Sequence, residues 1–242
     1  MRIHLIRTRF SNTYLIEDNG GMFVVDIAAR CDGFVLNYVE EKLNKNVFDI
    51  KLVTCTHDDV DHIGGLANLA RSCQAIAAIP HAAHRSRVKL YKNPYGPAFR
   101  LMTAMAEAFR GRSRAMYLDR ERIARYPHVP NVYLTGKGET QLPEIRRLKD
   151  RHRLEGFTDW EIIHTPGHSW DSICFFHHPT RSLITGDTIL GSASKGQLVH
   201  PAIYDDPRRL KQSVKRLIAL KPQTVYPGHG SIFSGENLLD HL

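Results

Sequence analysis

Apolar positions along the chain follow two rhythms, one of period two and one of helical period, separated by short polar punctuation. Residues 12–17 (Asn-Thr-Tyr-Leu-Ile-Glu) and 22–27 (Met-Phe-Val-Val-Asp-Ile) are β-type runs on either side of Asn19-Gly20-Gly21. Asn-Gly between two such runs is hairpin chemistry, because the tightest turn needs positive φ at both central residues. Phe34, Val35, Tyr38, Val39 and Leu43 recur at helical spacing and predict a helix over 34–43. Residues 50–56 read as a strand and 63–73 as the next helix. Later strands are predicted at 160–164, 173–177, 182–185 and 224–226, with an amphipathic helix over 210–220. Strands alternating with helices predict an α/β domain, one domain spanning residues 1–242.

The stretch 81–155 breaks this rhythm. It opens with His81-Ala-Ala-His84-Arg-Ser-Arg and passes the turn-forming Asn93-Pro94-Tyr95-Gly96-Pro97. A helical stretch follows from about 98 to 126, in which Phe99, Met102, Met105, Phe109, Met116 and Ile123 trace an apolar stripe. We read the stripe as core packing; the alternative is a lid over an acyl group, since Met side chains adapt to irregular apolar shapes. The stretch is therefore expected to be a mainly helical insertion.

Composition narrows the class. The 242 residues are 42% hydrophobic and 24% charged, which suits a globular protein with a sizeable core. No apolar run is long enough for a membrane span. The opening Met-Arg-Ile-His-Leu-Ile-Arg lacks a signal-peptide core, so a cytoplasmic protein is expected. Cys31, Cys55, Cys73 and Cys174 are scattered without a CxxC pair, which argues against a disulfide framework. The net charge is +8, and residues 81–155 hold 17 Lys+Arg against 7 Asp+Glu. Such a basic segment can steer an anionic ligand or keep the surface solvated. No nucleic-acid-binding motif accompanies it, so no nucleic-acid partner is expected.

The candidate chemistry lies at strand ends. Val53-Thr-Cys-Thr-His57-Asp58-Asp59-Val60-Asp61-His62-Ile63-Gly64-Gly65 packs four potential metal ligands into six residues where a strand gives way to a helix. On extended backbone His57 and Asp59 point the same way. Asp61 and His62 are expected in the turn and first helical position. Alternatively, Asp59 caps the following helix through its amides. Three later segments repeat the theme: His164-Thr-Pro-Gly-His168-Ser, Leu183-Ile-Thr-Gly-Asp187-Thr and Val225-Tyr-Pro-Gly-His229-Gly. Each puts an imidazole or carboxylate just after a short strand, where α/β sheets form their functional rim.

This combination resembles the metallo-β-lactamase-fold superfamily of metallohydrolases. The resemblance implies an α/β, four-layer αββα sandwich with the basic segment inserted. It also implies a site for two divalent metal ions, zinc first, with iron or manganese as alternatives. His57, Asp59 and His168 would bind one metal, and Asp61, His62 and His229 the other, with Asp187 bridging. His164 and Asp26 would orient ligands by hydrogen bonding. Asp59 departs from the family pattern, which has His there; it is a legitimate, harder oxygen ligand. Two metals would acidify water and polarise the bond under attack, and Asp61 is the expected catalytic proton acceptor.

The implied activity is hydrolysis of a small ester, lactone or thioester, with an anionic substrate favoured by the basic segment. The alternatives are a mononuclear non-haem iron oxidoreductase resembling persulfide dioxygenases and a metal-stabilised binding protein without turnover. Leu190 stands where acyl-homoserine lactonases carry Tyr, which weakens that branch. A homodimer is kept open as an assembly. His81, His84, His128 and His152 read as surface histidines and His177-His178 as a turn. Lys195 and His200 lie in the loop after Asp187, near the expected substrate entry.

Overall fold

The computed structural model describes residues 1–8, 11–83, 96–110 and 145–242. These form two compact units, the first from residues 1–79 and 145–147, the second from the remainder. His84, His128, Met116 and Ile123 lie outside the described residues.

The first unit is built on a six-stranded sheet in sequence order. Its strands are β1 (Arg2–Arg7), β2 (Asn12–Asp18), β3 (Gly21–Val25), β4 (Ile50–Thr54), β5 (Ile76–Pro80) and β6 (Ile145–Leu148). The β2–β3 hairpin closes on Asp18↔Gly21 with Asn19 at φ 47 and Gly20 at φ 76, the positive-φ pair the sequence asked for. From β3 the sheet becomes parallel, β3 beside β4 and β4 beside β5. The β3-to-β4 crossover carries α1 (Asp32–Asn37), which continues as a π-helical turn over Tyr38–Lys42. The expected helix over 63–73 is two helices, α2 (Val60–Ile63) and α3 (Leu66–Cys73), broken at Gly64-Gly65. At the break Gly65 N leaves the helical ladder and donates to Ile27 O at 3.0 Å, a close approach that admits only glycine. A Cβ on Gly64 would lie 2.8 Å from Ala29 N, and one on Gly65 would lie 2.6 Å from Ala28 O. α3 buries Leu66, Leu69, Ala70 and Cys73, a stripe at three- and four-residue steps.

The second unit holds a sheet ordered β14-β13-β10-β9-β8-β7. Its members are β7 (Arg153–Leu154), β8 (Phe157–His164), β9 (Ile173–His177), β10 (Ser182–Gly186), β13 (Thr224–Pro227) and β14 (Phe233–Ser234). β8, β9 and β10 are antiparallel neighbours, while β10 and β13 are parallel. A small hairpin, β11 (Leu190–Ser192) with β12 (Gln197–Val199), follows β10. α4 (Gly96–Arg110) precedes the sheet, and α5 (Pro207–Ala219) makes the β10-to-β13 crossover. α5 starts at Asp206, whose carboxylate accepts the Arg208 and Arg209 amides, followed by Pro207 at the first helical position. It buries Leu210, Val214 and Leu217 into a cluster with Ile163, Phe176, Leu183 and Val225.

Three expectations need correcting. Ile145–Leu148 and Arg153–Leu154 are strands, so the segment 81–155 ends in β structure rather than helix. α4 confirms a helix where the stripe begins, but Met102 and Met105 are exposed (56% and 54%) and are not core. On α4 the short Thr103, Ala104 and Ala106 are half-buried instead, and Arg100 pairs with Asp205 at 3.5 Å. Asp61 and His62 both lie inside α2 rather than at a turn. None of the four cysteines forms a disulfide, and all are buried. No helix among the described residues is long and apolar enough to cross a membrane.

Candidate metal centre

In the first unit β4 ends at Thr54, and the chain drops through Cys55 and Thr56 to His57 before α2 begins. His57 and His62 are fully buried, and their rings lie 4.1 Å apart between centroids. His57 Nε2 is 3.4 Å from Asp59 Oδ2, and His62 Nε2 is 3.6 Å from Asp61 Oδ2. Asp59 sits at the N-cap position of α2, yet its side chain makes no capping hydrogen bond. The capping alternative is therefore not what this residue does.

Asp26 organises this cluster. It is wholly buried, at φ 61, in the strained left-handed region where a non-glycine needs compensation. Its carboxylate accepts the Thr56 amide at 2.6 Å and the Thr56 hydroxyl at 2.9 Å, and lies 2.9 Å from His62 Nδ1. Thr56 Oγ1 is also 3.0 Å from His57 Nδ1. The hydroxyl has one proton, and an ionised carboxylate can only accept. The consistent arrangement has His57 Nδ1–H donating to Thr56 and Thr56 donating to Asp26. Both imidazoles then carry their lone pair on Nε2, the atom beside Asp59 or Asp61. The main chain reinforces the placement, with Ile27 N donating to His62 O at 2.7 Å and Gly65 N to Ile27 O at 3.0 Å. Ser11 Oγ donates to the Asp61 carbonyl.

The second unit carries the other residues that the sequence singled out. Asp187 Oδ2 is 3.7 Å from His168 Nε2 and 3.4 Å from His229 Nε2. All three side chains are nearly fully buried. His168 Nδ1 donates to Ile203 O at 2.7 Å, which again leaves the lone pair on Nε2. Asp187 and His229 follow neighbouring parallel strands, whose ends are tied by Gly228 N to Gly186 O at 2.8 Å. Gly191 N donates to His229 O at 3.0 Å. A Cβ on Gly191 would stand 1.9 Å from Ser231 O, so only glycine allows this approach.

His164 makes no hydrogen bond to the His168 imidazole itself. Its Nε2 donates to Trp170 O at 2.9 Å, within the loop that displays His168. Burial holds its pKa below the ordinary histidine value, opposed in part by that hydrogen bond. His177 closes the 177–180 turn through Thr180, 2.8 Å from its Nδ1, as a turn histidine should. His81 and His152 are exposed. Lys195 lies in the β11–β12 turn, and His200 Nε2 donates to Leu242 O at 3.2 Å. Thr56, Ile203 and Ser11 are participants that the sequence did not disclose. Thr56 had one signal, its place just before His57.

The profile of the metallo-beta-lactamase superfamily matches residues 6–229. The chain belongs to that superfamily. YqjP of Bacillus subtilis, a probable metallo-hydrolase, is 23% identical over 203 residues, 78% of this chain and 56% of YqjP. A stretch of 79 residues is 34% identical to the atrochrysone carboxyl ACP thioesterase of Aspergillus fumigatus, covering 33% of this chain and 22% of that protein. The chain thus spans little more than half of YqjP and less of the thioesterase. Among solved structures, the metallo-beta-lactamase family protein TTHA1429 from Thermus thermophilus superposes with a TM-score of 0.63 at 19% identity, covering 96% of this chain and 74% of that one. TTHA1623, solved in a di-iron-bound form, gives 0.58 at 20% identity over 97% and 94% of the two chains. The metallo-β-lactamase α/β fold that the motifs implied is the fold this superfamily member shares with them.

Proposed function

We propose that the protein is a metal-dependent hydrolase in which His57, Asp59, His168 and Asp187 hold one divalent ion and Asp61, His62, His229 and Asp187 a second. One observation carries this reading: the four imidazole–carboxylate pairs stand 3.4–3.7 Å apart with Nε2 facing oxygen. Those separations exceed the usual N–H···O length of about 2.9 Å. They suit two donors sharing one ion, since bonds of about 2.0–2.1 Å at tetrahedral angles place donors about 3.4 Å apart. The donor chemistry fits as well, with buried imidazoles in one tautomer beside carboxylates.

Bound there, two divalent ions supply Lewis acidity and bring the pKa of water towards neutrality. The chain's own residues do the rest. Asp26 and Thr56 hold the His57 and His62 rings, and the Ile203 carbonyl holds His168. Asp61 leaves 19% of its side chain exposed, the most accessible carboxylate of the set after Asp59. Its second oxygen, Oδ1, the one not paired with His62, can take a proton from the attacking water and return it to the leaving group.

The substrate class we infer is a small ester, lactone or thioester. The thioesterase relative supports the thioester, and the +8 charge supports an anionic substrate. Metal-free protein should hydrolyse none of a panel of acyl thioesters, lactones and phosphodiesters, and zinc or manganese should restore turnover of at least one acyl substrate. Turnover of phosphodiesters alone would overturn the acyl assignment. A second reading, iron-dependent oxidation, draws on the Asp59 carboxylate beside His57, a hard donor that suits iron. Oxygen uptake by iron-loaded protein with a persulfide, without ester hydrolysis, would establish it instead.

A further inference from the structure

The loop that displays His168 contains a carboxylate that the metal-binding set does not use. Asp171 is 0% exposed, and burying a charge is costly unless it returns something. Its Oδ1 accepts the Ser169 hydroxyl at 2.8 Å. Ser169 Oγ is also 2.7 Å from Ser172 Oγ, and Ser172 Oγ accepts the Ser169 amide at 3.2 Å. Each hydroxyl has one proton, and the carboxylate can only accept. Ser169 must therefore give its proton to Asp171, and Ser172 must give its own to Ser169. The anion sets the direction of the whole chain of hydrogen bonds.

That chain grips the residue next to the ligand at every polar atom. Ser169 O accepts the Gly167 amide at 3.0 Å, so Ser169 engages its N, O and Oγ inside the loop. Ser172 O in turn accepts the Thr165 amide at 2.8 Å, closing the loop on the far side of His168. We propose that Asp171 is a positioning residue for His168, acting through Ser169 to fix the path of the backbone that carries the imidazole. The Ile203 carbonyl sets which nitrogen of His168 faces Asp187, and Asp171 sets where the ring stands. Groups one step removed from a ligand commonly change metal affinity 10–100-fold, roughly, when removed.

This inference rests on His168 being a metal ligand. The test is a cobalt(II) titration of metal-free protein, following the visible ligand-field bands, with melting of the metal-free forms measured in parallel. Asp171→Ala and Ser169→Ala should each weaken cobalt binding about tenfold or more and alter the band shape. The double variant should be no weaker than the worse single one, because both remove the same bond. Asp171→Asn keeps an acceptor oxygen and should recover most of the affinity. A lowered melting temperature with cobalt affinity within twofold of the parent would overturn the proposal, as would additive losses in the double variant. Should Asp171→Ala fail to fold, Ser169→Ala alone decides by the same affinity criterion. Failure of the parent protein to bind cobalt would instead overturn the metal-site reading beneath it.

Discussion

Thr56 shows how much of the proposed metal site rests on an ordinary side chain. Its hydroxyl stands between Asp26 and His57, at 2.9 Å and 3.0 Å, and it decides the tautomer of His57. Thr56→Val keeps the shape and removes the link. Metal affinity should fall by about 10–100-fold while the metal-free protein melts within a few degrees of the parent. An unchanged affinity by calorimetry would show that His57 is oriented by something else. His164 gives a pH signature. Burial lowers its folded-state pKa below the unfolded value, so the unfolded chain takes up the proton first as pH falls. The stability tied to its neutral form is present above about pH 6.5 and is lost as pH drops from there through the folded pKa. Comparison with His164→Gln cancels every other histidine. The parent should lose more melting temperature than the variant on acidification, and parallel curves would contradict this.

The elements that carry the donors are held by close backbone approaches that tolerate no side chain. Gly191 lies against Ser231 beside the His229 turn, where a Cβ would be 1.9 Å from a carbonyl oxygen. Gly191→Ala should cost about 3 kcal/mol or more and lower metal content together with the melting temperature. On α5, Leu217→Ala removes a fully buried anchor and should cost about 2–5 kcal/mol while leaving the metal content of folded protein intact. The contrast separates support of the sheet from support of the donors. The β2–β3 hairpin and α5 were legible in the sequence, because Asn19-Gly20 and the Leu210–Val214–Leu217 spacing each have one good structural solution. β5 was not, since Ile-Ala-Ala-Ile-Pro carries weak β preference until it is paired beside β4. The break at Gly64-Gly65 was hidden too, because the Gly65 amide bonds the distant Ile27 carbonyl instead of the helix. The proposed donors stood out by their chemistry and their place after strands. Their supports did not: the Ile203 carbonyl reaches His168 across 35 residues, and a backbone oxygen leaves no mark in a sequence.

Across the molecule, charge and metal should be separable. The +8 net charge should make kcat/KM for an anionic thioester fall as ionic strength rises, while a neutral ester is unaffected. Equal salt dependence for both would assign the basic residues to solvation alone. Asp59, the carboxylate beside His57, should set metal preference, and Asp59→His should shift it from iron or manganese towards zinc. Everything rests on the seven proposed donors acting on bound ions. The most direct measurement is the metal content per chain of protein loaded with zinc and desalted, for the parent, His57→Ala and His168→Ala. Two equivalents in the parent and a loss of at least one in each variant are expected. Less than about a tenth of an equivalent in the parent, or the same content in all three, would contradict a metal centre built from these residues.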